Sequence, residues 1–223
     1  MQATNIVCDL DNRLFPEPDL ALQLSLCTRD IAFWGPEIWD NNEYSNEPES
    51  HATLLDILIM HQMEPFTYIL GDWKSVSATT STQWPTATLI PSGRKKPNRV
   101  PDHYSFTGLL ESGAQASVSW RAGYLPKGRK ELLWEIDGSE GILRFESESS
   151  RFLAAKGRLY LDDEEIFVDG EGDPVSIMAR QWEEFAKPDG SYAGLADAVR
   201  LKRLSEAIET SAKEGRRVEI GSY

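Results

Sequence analysis

Apolar residues recur with a helical period over residues 50–64. Two adjacent apolar positions are followed, four residues later, by two more, which is the spacing of a buried helix face. Ser50 precedes them at a position typical of an N-cap. The pattern therefore predicts a helix that begins at Ser50. Its apolar face consists of Leu54, Leu55, Leu58 and Ile59.

From residue 72 onward, the period of the pattern changes to two. Residues 72–84 are rich in β-branched side chains that alternate with polar ones, which predicts a half-exposed strand. A hairpin is predicted over residues 158–169, with its turn at residues 162–164. Between them lie four more alternating segments, separated by turn-forming sequences. These segments are DHYSFTGLLE, ASVSWRAG, KELLWEID and GILRFES.

Two helices and a short strand are predicted at the end of the chain. Asp173 as N-cap and Pro174 at the first helical position begin a helix that extends to residue 187. A second helix over residues 194–215 ends at a glycine, and residues 216–220 form a strand. The apolar face of the second helix consists of Leu195, Ala198, Val199, Leu201, Leu204, Ile208 and Ala212.

The first 49 residues differ in composition from the rest. They hold ten acidic residues against two arginines, and four prolines interrupt them. Residues 19–27 fit a short helix or, by the alternation of their leucines, a strand, and the helix is favoured. Residues 31–44 are aromatic and rich in turn formers, so they are expected to cover part of the main body. We therefore predict an irregular, acidic and aromatic segment over 1–49 and a folded domain over 50–223.

The order of the elements predicts the fold class of the larger region. A helix, several antiparallel strands, two helices and a strand indicate an α+β domain. Its architecture is predicted to be a large, open, mostly antiparallel β-sheet with helices packed on one face. The 223 residues are 40% hydrophobic, which is sufficient for a sizeable core.

Composition narrows the classes of partner. The formal net charge is −13, from 23 basic and 36 acidic residues, and such a surface repels a phosphate backbone. The basic cluster at residues 93–99 contains glycine and proline and is interpreted as a solvated loop. Cys8 and Cys27 have no metal-ligand spacing. With no signal peptide and no long apolar run in the sequence, we expect a cytoplasmic protein that binds neither nucleic acid nor membrane.

Several motifs resemble one half of a known family of two-domain dehydrogenases. The segments VPDHYSFTGLLESG and ELLWEIDGSEGILRF, the helix around LLDIL, and the ending GLADAVRLKRLSEAIETSAKEGRRVEI appear in the family's order. They resemble the C-terminal domain of the glucose-fructose oxidoreductase/inositol dehydrogenase (Gfo/Idh/MocA) family, closest to its fungal galactose-pathway repressor-like branch. The resemblance covers roughly Ser50 to Ile220. It implies an open sheet whose free face commonly packs against another subunit.

The sequence departs from that family where the cofactor would bind. The family's nucleotide-binding domain has a glycine-rich turn and a Glu-Lys-Pro motif, whereas residues 1–49 contain one glycine and no lysine. A pyrophosphate requires glycines so that the backbone can approach it. Binding of NAD in the family's manner is therefore not expected, and no cofactor and no metal are predicted.

Three residues are candidates for acid–base catalysis. The family's histidine position is occupied by Thr53, and His51 lies two residues earlier, about 200° around the helix. His51 can exchange protons near neutral pH or be a surface histidine beside the cap. The resemblance implies that Asp56 faces the substrate cleft. The alternative is that Asp56 is a structural carboxylate that accepts hydrogen bonds. His103, on a predicted strand, is the third candidate.

Five residues are candidates for substrate binding. His103 and its neighbour Tyr104 point to opposite faces of a strand, so only one of them can line a given pocket. Trp120 and Arg121 alternate in the same way. An aromatic sheet face is typical of a core or dimer interface, and it also suits a hydrophobic substrate. The predicted binding residues are Trp73, Tyr104, Trp120, Arg121 and Tyr124.

Three functional hypotheses remain open. The first is a cofactor-independent enzyme, a cyclase, isomerase or dehydratase acting on a hydrophobic small molecule in fungal secondary metabolism. The second is a non-catalytic binding or regulatory module. The third is a truncated oxidoreductase that needs a separate nucleotide-binding partner. Because a large apolar surface is unusual on a monomer, a homodimer through the sheet face is also predicted.

Overall fold

A computed structural model describes most of the chain. It covers residues 33–123, 130–139, 141–149, 157–166 and 174–221, and the backbone of 21–28. Several residues named above lie outside the described part of the chain. They are the predicted substrate-binding residue Tyr124, the predicted N-cap Asp173 and the side chains of Cys8 and Cys27.

A nine-stranded, mostly antiparallel sheet dominates the fold and confirms the predicted α+β class. Its strand order is β11-β10-β9-β8-β1-β7-β6-β3-β12. The strands are β1 (Ala21–Thr28), β3 (Trp73–Ser81), β6 (His103–Leu110), β7 (Gln115–Ala122), β8 (Leu132–Gly138), β9 (Gly141–Ser147), β10 (Gly157–Leu161), β11 (Glu164–Ile166) and β12 (Val218–Glu219).

β1 corrects the prediction of a helix over residues 19–27. It is a strand in the middle of the sheet, parallel to β7 and antiparallel to β8. Leu24, for example, lies opposite Val118 on one side and Trp134 on the other. The alternation of the leucines in this segment is the pattern of a strand. In the sheet, β1 has a partner on each side, so that its backbone groups are satisfied.

The helices are α1 (Met60–Leu70), α2 (Pro174–Phe185) and α3 (Leu195–Glu214), and a π-helical turn, Leu55–Ile59, leads directly into α1. Of these helices, α1 and α3 pack on one face of the sheet. Between α1, α3 and the sheet lies the main core, where the rings of Phe66 and Trp73 stack at 5.5 Å. No helix of the described residues has the length and apolar character needed to cross a membrane.

The first helical region begins later than predicted. Ser50 ends a short 3₁₀ turn, Pro48–Ser50, and its hydroxyl donates to the carbonyl of Glu47 at 2.8 Å, so it is not the N-cap. The hydroxyl of Thr53 instead accepts the N–H of Asp56 at 3.2 Å, which is the hydrogen bond of an N-cap. The helix then continues through Pro65 to Leu70.

A small second sheet explains the basic cluster. β4 (Thr86–Ile90) lies between β2 (Glu37–Trp39) and β5 (Lys95–Pro97). Lys96 of β5 forms ion pairs with Glu43 at 3.2 Å and Glu47 at 2.5 Å. Arg94 pairs with Glu43 as well. The acidic N-terminal segment therefore neutralises cations of this cluster, which is part of an ordered sheet rather than a solvated loop.

The predicted apolar face of α3 is correct only in its C-terminal half. Leu204 and Ile208 are buried against the sheet, as predicted. Leu195 is 82% exposed and Val199 is 38% exposed, because the first turns of α3 extend past the core. These two positions and Ala198, which is also exposed, were wrongly assigned to the core.

The uncovered face of the sheet is lined with hydroxyl groups. Alternation along each strand places the aromatic side chains toward the helices and small polar residues on the opposite face. Adjacent strands β3, β6 and β7 form two rows of such residues, aligned by the register of the sheet. The rows are Thr79, Ser105 and Ser119, and Ser77, Thr107 and Ser117.

Candidate functional site

Asp56 lies at the centre of a polar cluster between the π-helical turn and α3. Its carboxylate accepts the hydroxyl of Thr53 at 2.6 Å and that of Ser205 at 3.4 Å. Lys202 Nζ lies 3.6 Å from the same carboxylate, whose side chain is only 11% exposed. The carboxylate is therefore held in one position by donors from both helices.

The backbone around Asp56 is unusual. Residues 55–59 form a π-helical turn, in which the N–H of Ile59 bonds to the carbonyl of Leu54 at 3.0 Å. Single π-turns within helices occur frequently at functional sites. This turn positions Asp56 toward α3 while Leu55, Leu58 and Ile59 remain buried.

Glu209 supplies a second carboxyl group beside Asp56. It follows Ser205 by one turn of α3, so the two residues share a helix face. Partial burial raises the pKa of Glu209, and the negative charge of Asp56 raises it further. Lys202 opposes that effect. The cluster thus includes, at an exposed position of α3, a carboxyl group whose pKa lies above its ordinary value.

Tyr104 projects from the sheet toward this cluster. Its side chain is 4% exposed, and burial strongly raises the pKa of its phenol. The charges of Glu209, Asp56 and Asp102 raise that pKa further. Tyr104 is therefore a neutral hydroxyl group at neutral pH, in the core between the sheet and the helices.

His51 lies at the edge of the same cluster. It is exposed, and it follows directly after the 3₁₀ turn Pro48–Ser50, two residues before Thr53. Its φ of 51° is in the left-handed region, which a residue other than glycine rarely adopts. Such backbone strain is concentrated at functional sites. Of the three predicted catalytic residues, His51 and Asp56 thus lie at the start of the same helical region.

His103 lies elsewhere, beside Asp102 on the other face of the sheet. Its Nδ1 is 2.6 Å from Oδ1 of Asp102. The buried Asp102 carboxylate also accepts the backbone N–H groups of Gln83 and Trp84, both at 2.8 Å. Arg121 lies opposite His103 in the β6–β7 register. The Asp102–His103 pair thus anchors the turn after β3 and is separate from the Asp56 cluster.

The predicted aromatic binding residues are core residues. Trp120 is fully buried and Trp73 is 3% exposed. Trp73 borders a cavity of about 220 Å³ that Leu204 and Arg200 also line. Arg200 is held there by an ion pair with Asp72 at 3.1 Å. Arg121 and the buried Tyr104 were both predicted to bind substrate. They lie on opposite faces of the sheet, with Arg121 opposite His103 on the neighbouring strand.

Sequence reasoning missed Lys202, Ser205 and Glu209. They follow one another at three- and four-residue intervals on the polar side of α3. That spacing predicts a shared helix face, but only the packing of α3 beside the π-helical turn brings them to Asp56. Among the described residues, no group of three or more histidine, cysteine, aspartate or glutamate side chains has the arrangement of a metal site.

The fold is that of the C-terminal sheet domain found in Gal80p and in levoglucosan dehydrogenase. Within that class, the chain belongs to the family of the Gal80p C-terminal domain, whose model matches residues 22–147. The matched range begins at β1, inside the segment predicted to be separate. No curated protein matches the chain by sequence.

Three solved structures illustrate the shared fold. The transcriptional regulator Gal80p from Kluyveromyces lactis is 22% identical, with a TM-score of 0.75 over 90% of this chain and 55% of that chain. A super-repressor mutant of Gal80p from Saccharomyces cerevisiae is 19% identical, with a TM-score of 0.76 over 91% and 58%. The apo form of levoglucosan dehydrogenase is 18% identical, with a TM-score of 0.70 over 91% and 59%.

These likenesses extend over only part of each relative. The chain spans less than two thirds of the length of each of the three proteins. At these identities, the structural likeness shows the fold.

Proposed function

We propose that the chain is a cofactor-independent acid–base enzyme, an isomerase or dehydratase, whose site is the Asp56 cluster. The observation that carries this proposal is the nearly buried Asp56 carboxylate, which Thr53 and Ser205 hold in place one turn of α3 away from Glu209. Two carboxyl groups in different environments can divide the roles of base and acid between them. A cyclase that needs the same proton transfers is a third reaction of this class.

The geometry supports a specific division of roles. Asp56 accepts hydrogen bonds from Thr53 and Ser205, which leaves it oriented as a base that removes a proton from carbon. Glu209, whose pKa is raised above its ordinary value, takes the role of the acid that gives a proton to a leaving hydroxyl group or to the neighbouring carbon. His51 at the edge of the cluster can exchange protons with solvent.

The chemistry of the cluster favours a small hydroxylated substrate. Carboxylate, hydroxyl and ammonium groups surround Asp56, and they complement a polyol better than a hydrocarbon. Solved structures of levoglucosan dehydrogenase, which shares the fold, include complexes with levoglucosan and with L-sorbose. The aromatic residues predicted for a hydrophobic substrate, Trp73, Tyr104 and Trp120, are buried in the core. We therefore propose a sugar-like substrate in place of the hydrophobic one.

Cofactor independence is proposed from the sequence. Residues 1–49 contain one glycine and no lysine, so these residues offer neither the glycine-rich turn nor the lysine of the family's redox site. Native mass spectrometry with NAD and NADP tests this point. Stoichiometric binding of either dinucleotide would favour the alternative of an oxidoreductase. Fungal secondary metabolism and a cytoplasmic location stay predictions.

A non-catalytic binding module is the second candidate. It is favoured by the filled core, since Trp73, Tyr104 and Trp120 are each at most 4% exposed. A fold shared with the transcriptional regulator Gal80p also favours it. Such a module would use the Asp56 cluster to bind a ligand without changing it.

Deuterium exchange distinguishes the two candidates. L-sorbose is incubated with the protein in D₂O, and the hydrogens next to its carbonyl are followed by proton NMR. An acid–base enzyme removes these hydrogens, so their signals decline, and Asp56→Asn slows the decline by roughly 100-fold. Arg158→Gln, an exposed change on β10, is the control and leaves the rate unchanged. Saturable binding of L-sorbose without exchange would contradict the enzyme and support the binding module.

A further inference from the structure

The exposed face of α2 carries an unusually large apolar stripe. The stripe consists of Val175, Met178, Trp182 and Phe185, which are 76%, 48%, 67% and 58% exposed. The ring of Phe185 also contacts that of Tyr192 at 5.1 Å and that of Trp182 at 5.8 Å. Of the elements that the structure describes, α2 packs extensively against none.

The size of this surface matches one side of a stable interface. At on the order of 100 Å² each, the four side chains present roughly 400 Å² of apolar surface, which is as large as the largest apolar patch on a typical monomer, and such patches are often functional. A standard interface buries about 800 Å² on each partner, of which roughly 60% is apolar. The stripe therefore supplies about the apolar area that one partner contributes.

The spacing of the stripe identifies how it can pair. Its members are separated by three, four and three residues, which is the a/d pattern of a helix that packs along another helix. The positions that flank this seam are Ala179, Gln181 and Ala186, all uncharged. Arg180, on the opposite side of the helix, does not enter the seam. Two copies of α2 can therefore approach each other closely and without like charges at their contact.

We propose that α2 binds the α2 helix of a second copy of this chain in an antiparallel arrangement. A two-fold axis at residue 180 places Val175 opposite Phe185 of the second copy and Met178 opposite its Trp182. Each layer then combines one large aromatic side chain with one smaller aliphatic side chain, as close packing requires. A thioether beside an indole ring is also favourable.

The order of the side chains excludes the parallel arrangement. In a parallel pair Trp182 would face itself and Val175 would face itself, leaving one crowded layer and one loose layer. Antiparallel helices additionally place opposite ends of their dipoles side by side. This contact lies on α2, whereas the sequence predicted a dimer through the sheet face. It does not depend on the proposed enzymatic function.

The oligomeric state tests the proposal. Analytical ultracentrifugation of the whole protein at micromolar concentration should give a dimer, and Trp182→Asp should weaken association by roughly 100-fold. Ile142→Asp is the matched control, because Ile142 is 49% exposed on the uncovered face of β9. Association should also strengthen with added salt, since each copy carries a net charge of −13. Circular dichroism checks that both variants fold.

Cross-linking tests the register. In a Cys8→Ser and Cys27→Ser background, a mixture of Val175→Cys and Phe185→Cys proteins should form a disulfide between copies, and Val175→Cys alone should not. A monomeric wild-type protein, a dimer that persists in Trp182→Asp, or a dimer without the mixed disulfide would overturn the proposal. A dimer lost only in Ile142→Asp would overturn it by placing the contact on the sheet face.

Discussion

Two hydrogen bonds join Thr53 and Asp56. The Thr53 hydroxyl donates to Oδ2 of Asp56 at 2.6 Å and accepts the backbone N–H of Asp56 at 3.2 Å. One residue thus caps the helix and orients the carboxylate that the proposed chemistry uses. The start of the helix and the geometry of the site are therefore fixed by the same hydroxyl group.

Replacing Thr53 by valine should affect both stability and catalysis. Thr53→Val keeps the shape of the side chain but removes the cap, so the free energy of unfolding should fall by about 1 kcal/mol. Because the Asp56 carboxylate loses a hydrogen bond that orients it, the rate of deuterium exchange should fall by roughly 10-fold. Thr53→Ser restores the hydroxyl and should recover both quantities. A rate loss that serine fails to recover would show that Thr53 does not act by positioning Asp56.

Replacing Glu209 by glutamine should stabilise the protein at neutral pH. Below about pH 4.5, the ordinary pKa, Glu209 is protonated in the folded and the unfolded chain, so the substitution changes little. As the pH rises through the raised pKa of Glu209, the folded protein loses stability because it must ionise this group beside Asp56. Thermal unfolding should therefore show a higher Tm for Glu209→Gln at pH 7 and equal Tm values near pH 3.5. Equal values at both pH values would contradict the raised pKa.

Replacing Asp102 by asparagine should destabilise the sheet. Both carboxylate oxygens of Asp102 accept backbone N–H groups, from Gln83 and Trp84, and the side chain is 3% exposed. An asparagine presents an amide N–H₂ to one of these donors and leaves it unsatisfied, at a cost of about 1–3 kcal/mol. Urea unfolding measures the change. The matched control is Asp137→Asn, at an exposed carboxylate on β8, which should lose less than about 0.5 kcal/mol.

Acid should weaken the contact between the N-terminal acidic segment and the small sheet. Hydrogen bonds from Arg94 and Lys96 lower the pKa of Glu43 from its ordinary 4.5 to about 2. The stabilisation is therefore present above pH 4.5 and is lost as the pH falls through about 2. The Tm of the wild-type protein should fall over this range, and the fall should be shallower in Glu43→Gln. Parallel pH profiles of the two proteins would show that the ion pairs contribute nothing to stability.

The fold could be predicted from the sequence wherever a local pattern decided the structure. The alternation over β6, β7, β8 and β9 predicted those strands within one or two residues of their bounds. The hairpin of β10 and β11 was also confirmed, with its turn at Asp162 and Asp163 in the left-handed conformation. Period-two patterns are reliable here because one face of each strand is buried under helices.

The errors arose where tertiary contacts decided the outcome. β1 was interpreted as a helix because its partners β7 and β8 lie about a hundred residues away in the sequence. Ser50 has the chemistry of an N-cap, but Thr53 takes that position because its hydroxyl also reaches Asp56. The Asp56 cluster was predicted only in part, since Glu209 reaches it from α3 through packing. Leu195 was assigned to the core although nothing in the described part of the chain covers it.

A carbon-13 NMR titration of the Glu209 side-chain carboxyl group tests the central claim most directly, because the account requires Glu209 and Asp56 to act as a coupled pair. We expect a pKa above the ordinary 4.5 in the wild-type protein and a lower pKa in Asp56→Asn, where the neighbouring negative charge is removed. An ordinary pKa in the wild-type protein, unchanged by Asp56→Asn, would contradict the paired acid–base site.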